Sequence, residues 1–198
     1  MKILWLSLFA VVLVWSGISP KDQFTWFLEV FPALIGFIII VFSYKKFPLT
    51  PLLYSLILIH MILLMVGGHY TYAEVPLFDT LKELLGQNRN NFDKLGHFFQ
   101  GFEPAILARE LLLRKEIVHG SKYWLNYIIL SIVLAFSAFY ELVEWWVALA
   151  TGEDAEAFLG TQGYVWDTQS DMMFALIGAI TALVLLSTLH DRQLKKVQ

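Results

Sequence analysis

Six apolar runs constrain this chain more than any other feature: 3–18, 24–44, 48–67, 93–113, 124–150 and 167–189. Each is close to the ~20 residues that cross a hydrocarbon layer of about 30 Å at 1.5 Å per residue. Lipid offers no water to the backbone, so such runs span as helices unless they close into a barrel. The expected fold is therefore all-α, a polytopic transmembrane helical bundle of about six spans forming a single integral-membrane domain over 1–198. Hydrophobic residues make up 58% of the chain and charge is scarce, which a soluble surface does not permit. A net charge of −3 without any basic block argues against a nucleic-acid partner. The absence of cysteine excludes disulfides, thiolate metal sites and cysteine lipidation.

Orientation follows from the positive charges. Lys45 and Lys46 follow the second run, Arg114, Lys115 and Lys122 the fourth, and Arg192, Lys195 and Lys196 the sixth. Cytoplasmic loops collect such residues, so both termini are expected inside. The first run, behind Lys2, resembles a signal peptide. No small-x-small cleavage site precedes Pro20, and Trp5 and Trp15 sit where interfacial anchors belong, so a retained helix is expected. Cleavage would leave five spans in the same orientation.

The loop 68–92 is then extracytoplasmic. Behind Pro76, the residues Leu77, Phe78, Leu81, Leu84 and Leu85 fall on one side of a helix over 77–85, with Asp79, Lys82 and Glu83 largely opposite. That pattern fits an interfacial amphipathic helix or a lid packed on its own bundle. Gly86 and the polar run behind it read as stop and turn. The last extracytoplasmic loop carries only acidic charge, at Glu153, Asp154 and Glu156.

Helical spacing then places the polar residues by depth. Asp93 and His97 are four apart and share a face that Gln100 and Gly101 continue inward. Glu141 and Glu144 are three apart, with Tyr140 and Ser137 beside them. Asp167, Ser170 and Asp171 line one side of the sixth run, where Gly178 and Ala182 form a small-residue strip that points Asp171 into the bundle. His69 ends the third run at the same level, followed by Tyr72. Ionisable residues facing lipid cost a few kcal/mol or more, so these groups are expected to face one another, water or an ion. Their negative charge calls for protons, a cation, or Lys94 and His97 to balance it.

Plainer readings accompany several of these residues. Asp93 and Asp167 are also natural helix caps. Glu103 beside Pro104, and Glu29 before Pro32, are expected to serve backbone freed by the prolines. His119 and His190 are expected to be solvent-exposed.

The segment Asp93-Lys94-Leu95-Gly96-His97-Phe98 resembles the Asp-Lys-x-x-His-Phe signature of VanZ-like membrane proteins. Glu141-Leu142-Val143-Glu144 is similar to that group's Glu-x-x-Gln, and Asp171 with Gly178 to its Asp-x-x-x-Asn-x-x-Gly. Glu144 stands in place of the Gln, and Ala175 in place of the Asn. The wider pattern resembles the bacterial YjdF-like inner-membrane family, through Gly68-His69-Tyr70-Thr71-Tyr72 and the stretch from Leu159-Gly160-Thr161-Gln162-Gly163-Tyr164 to Val165-Trp166-Asp167-Thr168-Gln169. This resemblance covers nearly the whole chain and implies the bacterial inner membrane. The VanZ-like one implies contact with the cell envelope.

Two classes of function fit, beside a purely structural hydrogen-bond network. In the first, an outward-opening site acts on an amphiphile, such as a membrane lipid or lipid-linked envelope precursor, with Glu141, Glu144 and His97 as the catalytic acid–base candidates. A divalent metal (zinc, manganese, iron or magnesium) would be held by a subset of His69, His97, Glu141, Glu144 and Asp171, supported by Asp93, Asp167, Gln169 and Tyr72. In the second class the carboxylates bind protons or a cation for transport, although the inner half offers only Glu103, His60 and a few hydroxyls as stepping stones. No nucleophile motif points elsewhere, since Ser170 lacks a Gly-x-Ser-x-Gly setting.

Overall fold

The computed structural model of the chain describes residues 2–151 and 161–197. Glu153, Asp154, Glu156, Leu159 and Gly160 lie outside these residues. The regular elements among the described residues are all helices: α1 Lys2–Gly17, α2 Gln23–Ser43, α3 Pro51–Tyr70, α4 Pro76–Leu84, α5 Phe92–Arg114, α6 Lys122–Thr151 and α7 Asp167–Val197.

Four of these, α2, α3, α6 and α7, are long and apolar enough to cross a membrane. The expectation of about six spans is thus supported for four, and the remaining two differ for separate reasons. Helix α1 has 16 residues and reaches only about 24 Å. Helix α5 is long enough at 23 residues but carries Asp93, Lys94, Glu103, Arg109, Glu110 and Arg114. It tolerates them because it is interior: α3, α6 and α7 all pack against it, and fourteen of its residues are buried. Apolar helices wrap a polar one, and lipophilic side chains such as Phe27, Phe31, Ile38 and Phe42 of α2 face outward.

The caps are local. Asp22 accepts the Thr25 N–H at 2.6 Å to start α2, and Thr50 caps α3 by accepting the Leu53 N–H. Asp93 was a candidate cap, but Asn91 occupies the cap position of α5 and the Asp93 carboxylate is committed elsewhere. After α3, Thr71 and Tyr72 both take left-handed backbone, at φ 55° and 54°. That reversal lays the Tyr72 ring across Gly67, where a Cβ would come within 2.2 Å of it.

Helices α5 and α7 touch backbone to backbone. A Cβ at Gly101 would meet the Ala175 carbonyl oxygen at 1.7 Å, and one at Gly178 the Phe98 carbonyl oxygen at 2.0 Å. Ala175, Ala179 and Ala182 complete this buried seam.

The two helices are also joined by charge at the end far from Asp93. Glu110, fully buried, accepts from the Thr50 N–H and hydroxyl and from Arg114, and lies 3.0 Å from His190 Nε2. Arg109 bonds His190 Nδ1 at 3.0 Å and Asp191 at 2.6 Å. Arginine can only donate, so His190 Nδ1 accepts and Nε2–H donates to Glu110. His190 is therefore not the exposed terminal residue expected from its position: it has no solvent exposure. The adjacent Arg109-Glu110 pair inside an apolar run was the sequence signal for such a network.

Candidate functional site

At the other end, the first turns of α5 and α7 face each other and bring Asp93, Lys94, His97, Asp167 and Asp171 together. Lys94 Nζ donates to Asp167 at 2.7 Å and Asp171 at 2.5 Å, and lies 3.4 Å from Asp93. Arg89, just ahead of α5, donates to Asp93 at 2.8 Å and to Asp167. These two cations therefore interleave with three aspartates. In the sequence analysis Lys94 is named as a counter-charge but Arg89 is not. It is placed by its neighbour Asn90, fully buried, whose N–H and carbonyl bond the Gln162 amide at 3.0 and 2.9 Å. The Asn90 side chain also ties to the Val75 carbonyl and to Asp79, which pins α4.

His97 lies one turn further along α5 than Asp93. Its Nε2 lies 3.2 Å from Asp93 and 3.8 Å from Asp171, and its Nδ1 lies 3.2 Å from Gln100 Oε1 and 3.9 Å from Glu141 Oε1. Among the described residues, Glu141 Oε1 is buried without a hydrogen-bond partner. A buried oxygen in that state costs about 1–3 kcal/mol, so it marks a place where a donor is expected to arrive.

A cavity of about 70 Å³ opens beside His97. Glu144, Tyr140 and Tyr72 line it together with Glu29 and His60. Glu29, expected to serve backbone near Pro32, instead turns its carboxyl toward the Tyr72 phenol. Glu103, expected to do likewise for Pro104, has His60 as its partner, 3.1 Å from Nδ1. Neither placement is readable from local spacing, because each depends on the rotation of a neighbouring helix.

The structure does not bring every candidate to this group. His69 faces α1: its Nδ1 lies 2.9 Å from the Ser16 carbonyl oxygen and its ring packs on Trp15 at 4.6 Å. Gln169 is exposed on the outer side of α7. Of the metal-ligand candidates, His97 and Asp171 join Asp93 in a buried set whose ligand atoms all lie within 4.8 Å of one another, a spacing that could hold a metal ion.

The molecule is thus a helical membrane protein built around a buried polar helix, with an acidic–histidine group at one end. The family model described as "Predicted membrane protein (DUF2238)" matches residues 1–192, and the chain belongs to that family. Over 186 residues it is 51% identical to "Inner membrane protein YjdF" of Escherichia coli (strain K12), covering 94% of this chain and 88% of that relative. This bears out the YjdF-like resemblance. No solved structure matches the chain.

Proposed function

We propose that this protein resides in the inner membrane with both termini cytoplasmic, α1 and α5 completing six spans, and acts on an amphiphilic substrate at the outer face. His97 and Glu141 form the acid–base pair. The observation that carries this reading is the donorless Glu141 Oε1, 3.9 Å from His97 Nδ1. A substrate hydroxyl or water entering between them supplies the missing donor and finds a proton acceptor in place. Asp93 fixes the far side of the imidazole, as a carboxylate orients a catalytic histidine elsewhere. Glu144 and Tyr72 shape the approach from the cavity. The location agrees with the name of the E. coli relative, and the VanZ-like motifs, which carry Asp93, His97, Glu141 and Asp171, favour a shared site.

A second reading, a divalent ion on Asp93, His97 and Asp171, is favoured by the spacing of their ligand atoms. Zinc, manganese or iron suits this mixed nitrogen and oxygen set better than magnesium. It would have to displace Lys94 from Asp171. Transport is less well supported. Arg109, Glu110 and His190 add polar groups to the inner half, but fully buried Ala105 and Ile106 lie between them and Glu103.

The test compares lipid extracts from cells lacking the protein with extracts from cells given wild type, His97→Gln or Glu141→Gln at equal membrane abundance. An amphiphile whose level responds to wild type and to neither variant is expected. Full restoration by Glu141→Leu combined with Glu144→Leu would end the acid–base reading. Elemental analysis of protein purified without chelators separates the metal reading, which requires stoichiometric metal that falls in His97→Ala.

A further inference from the structure

We infer that Ser137 and Glu141 hold a water between α6 and the seam of α5 and α7, and that this water is a reactant: an amphiphile is hydrolysed at a carboxylic ester or amide bond. The inference rests on the acid–base reading of His97 and Glu141, and it names the reaction that this pair performs.

Two polar atoms on successive turns of α6 carry it. Ser137 has no solvent exposure and Glu141 has 8%, and the helices packed on α6 are α5 and α7. Helical hydroxyls commonly donate to the carbonyl four residues back, as Ser131 and Thr151 of the same helix do. Ser137 does not. Among the described residues its Oγ, like Glu141 Oε1, is buried without a hydrogen-bond partner. Helical side chains lean toward the N-terminus, so the Glu141 carboxylate reaches back over Ser137, four residues earlier.

Neither oxygen bonds the other, so a third group that can bond both satisfies the pair. Water does this, making about three hydrogen bonds where it is buried. His97 Nδ1, 3.9 Å from Glu141 Oε1, is close enough to share the same water. Gln100 Oε1 accepts from Nδ1 at 3.2 Å, so that nitrogen carries a proton. The cavity beside His97 is lined by His97 and Gln100 but by neither Ser137 nor Glu141. The reacting group of an amphiphile therefore comes to the imidazole from the cavity, and the water comes to it from α6.

The charge around His97 selects the bond. Lys94 is engaged by Asp167 and Asp171 and Arg89 by Asp93 and Asp167, while Glu29, Asp93 and Glu144 line the cavity. A phosphate brought there would meet carboxylates, so the electrophile is the neutral carbon of an acyl group. Glu141 takes one proton of the water as the water oxygen bonds the acyl carbon. The ester or amide bond breaks, and the departing oxygen or nitrogen takes the proton of His97 Nδ1. Glu141 then returns its proton to His97, leaving a carboxylic acid and an alcohol or amine.

For the test, the full chain is reconstituted into vesicles made from the lipid extract of cells lacking the protein. The vesicles are incubated in water enriched in heavy oxygen, with methanol as a competing acceptor. A lipid-derived carboxylate carrying one heavy oxygen is expected with wild type and not with His97→Gln or Glu141→Gln. Ser137→Ala is expected to raise the ratio of methyl ester to labelled carboxylate about threefold or more, because the water has lost one of its hydrogen bonds. That ratio does not depend on how much of the variant folds, and an unchanged ratio would remove Ser137 from the site. A lipid product that depends on His97 and Glu141 but carries no heavy oxygen would overturn hydrolysis and leave the acid–base reading standing. Heavy oxygen in a phosphate would overturn the acyl assignment. With no product that depends on His97 and Glu141, the acid–base reading fails and takes the inference with it.

Discussion

Lys94 is where the site's electrostatics turn, because its ammonium is shared by Asp167 and Asp171 and lies close to Asp93. Lys94→Met keeps the stem and deletes the charge, leaving buried carboxylates with one fewer partner. A loss of about 3–5 kcal/mol is expected, read as a lower melting temperature of the purified protein. Asp22 offers a milder, pH-dependent test. The Thr25 backbone N–H holds its carboxyl below the usual carboxylate range. A depressed carboxyl stabilises the fold above its unfolded value and loses that contribution as pH falls through the folded one. Asp22→Ala should therefore cost about 1 kcal/mol near neutral pH, with the gap to wild type closing below about pH 4 in melting curves. At this scale spacing alone placed Asp93, His97, Glu141 and Asp171 near one depth, since each lies a fixed rise from a helix end. It failed for His69, because α3 is apolar on every side and such a helix does not declare which face turns inward.

Between elements, the seam of α5 and α7 is the contact least able to adapt. Both partners at each crossing are backbone, so no side chain can rotate away from an added methyl. Gly101→Ala and Gly178→Ala should each destabilise the protein by about 1–3 kcal/mol or more, measured as earlier thermal unfolding, and the pair should not fold. Gly178 and the small residues near it were legible in the sequence as a strip at helical spacing. The helix boundaries were legible too, mostly to within a few residues, because apolar runs and their flanking charges set them. The network of Arg109, Glu110 and His190 was missed since His190 lies about 80 residues from the other two and only the fold makes them neighbours.

For the molecule as a whole, the proposed orientation predicts which surfaces an impermeant thiol reagent reaches. The chain has no cysteine, so single additions report cleanly. Asn88→Cys should be labelled in intact cells, while Lys46→Cys and His119→Cys should react only after lysis; all three positions are exposed. Asn90, although in the same loop as Asn88, is fully buried and unsuitable. Labelling of Lys46→Cys from outside would place the His97 group on the cytoplasmic side.

On the six-span arrangement proposed above, the buried polar helix also sets an order of assembly. Lys94 waits for Asp167 and Asp171, which lie 73 and 77 residues further along the chain. At roughly 5–20 residues per second, the ribosome takes on the order of ten seconds to deliver them. Until then α5 holds charges that a bilayer rejects, so it cannot partition into lipid on its own merits. It must remain at the insertion machinery, or pair provisionally with α3, until α7 emerges. A chain that stops after α6 should leave α5 outside the bilayer, and the quality of the last helix thereby decides whether the fifth is ever integrated.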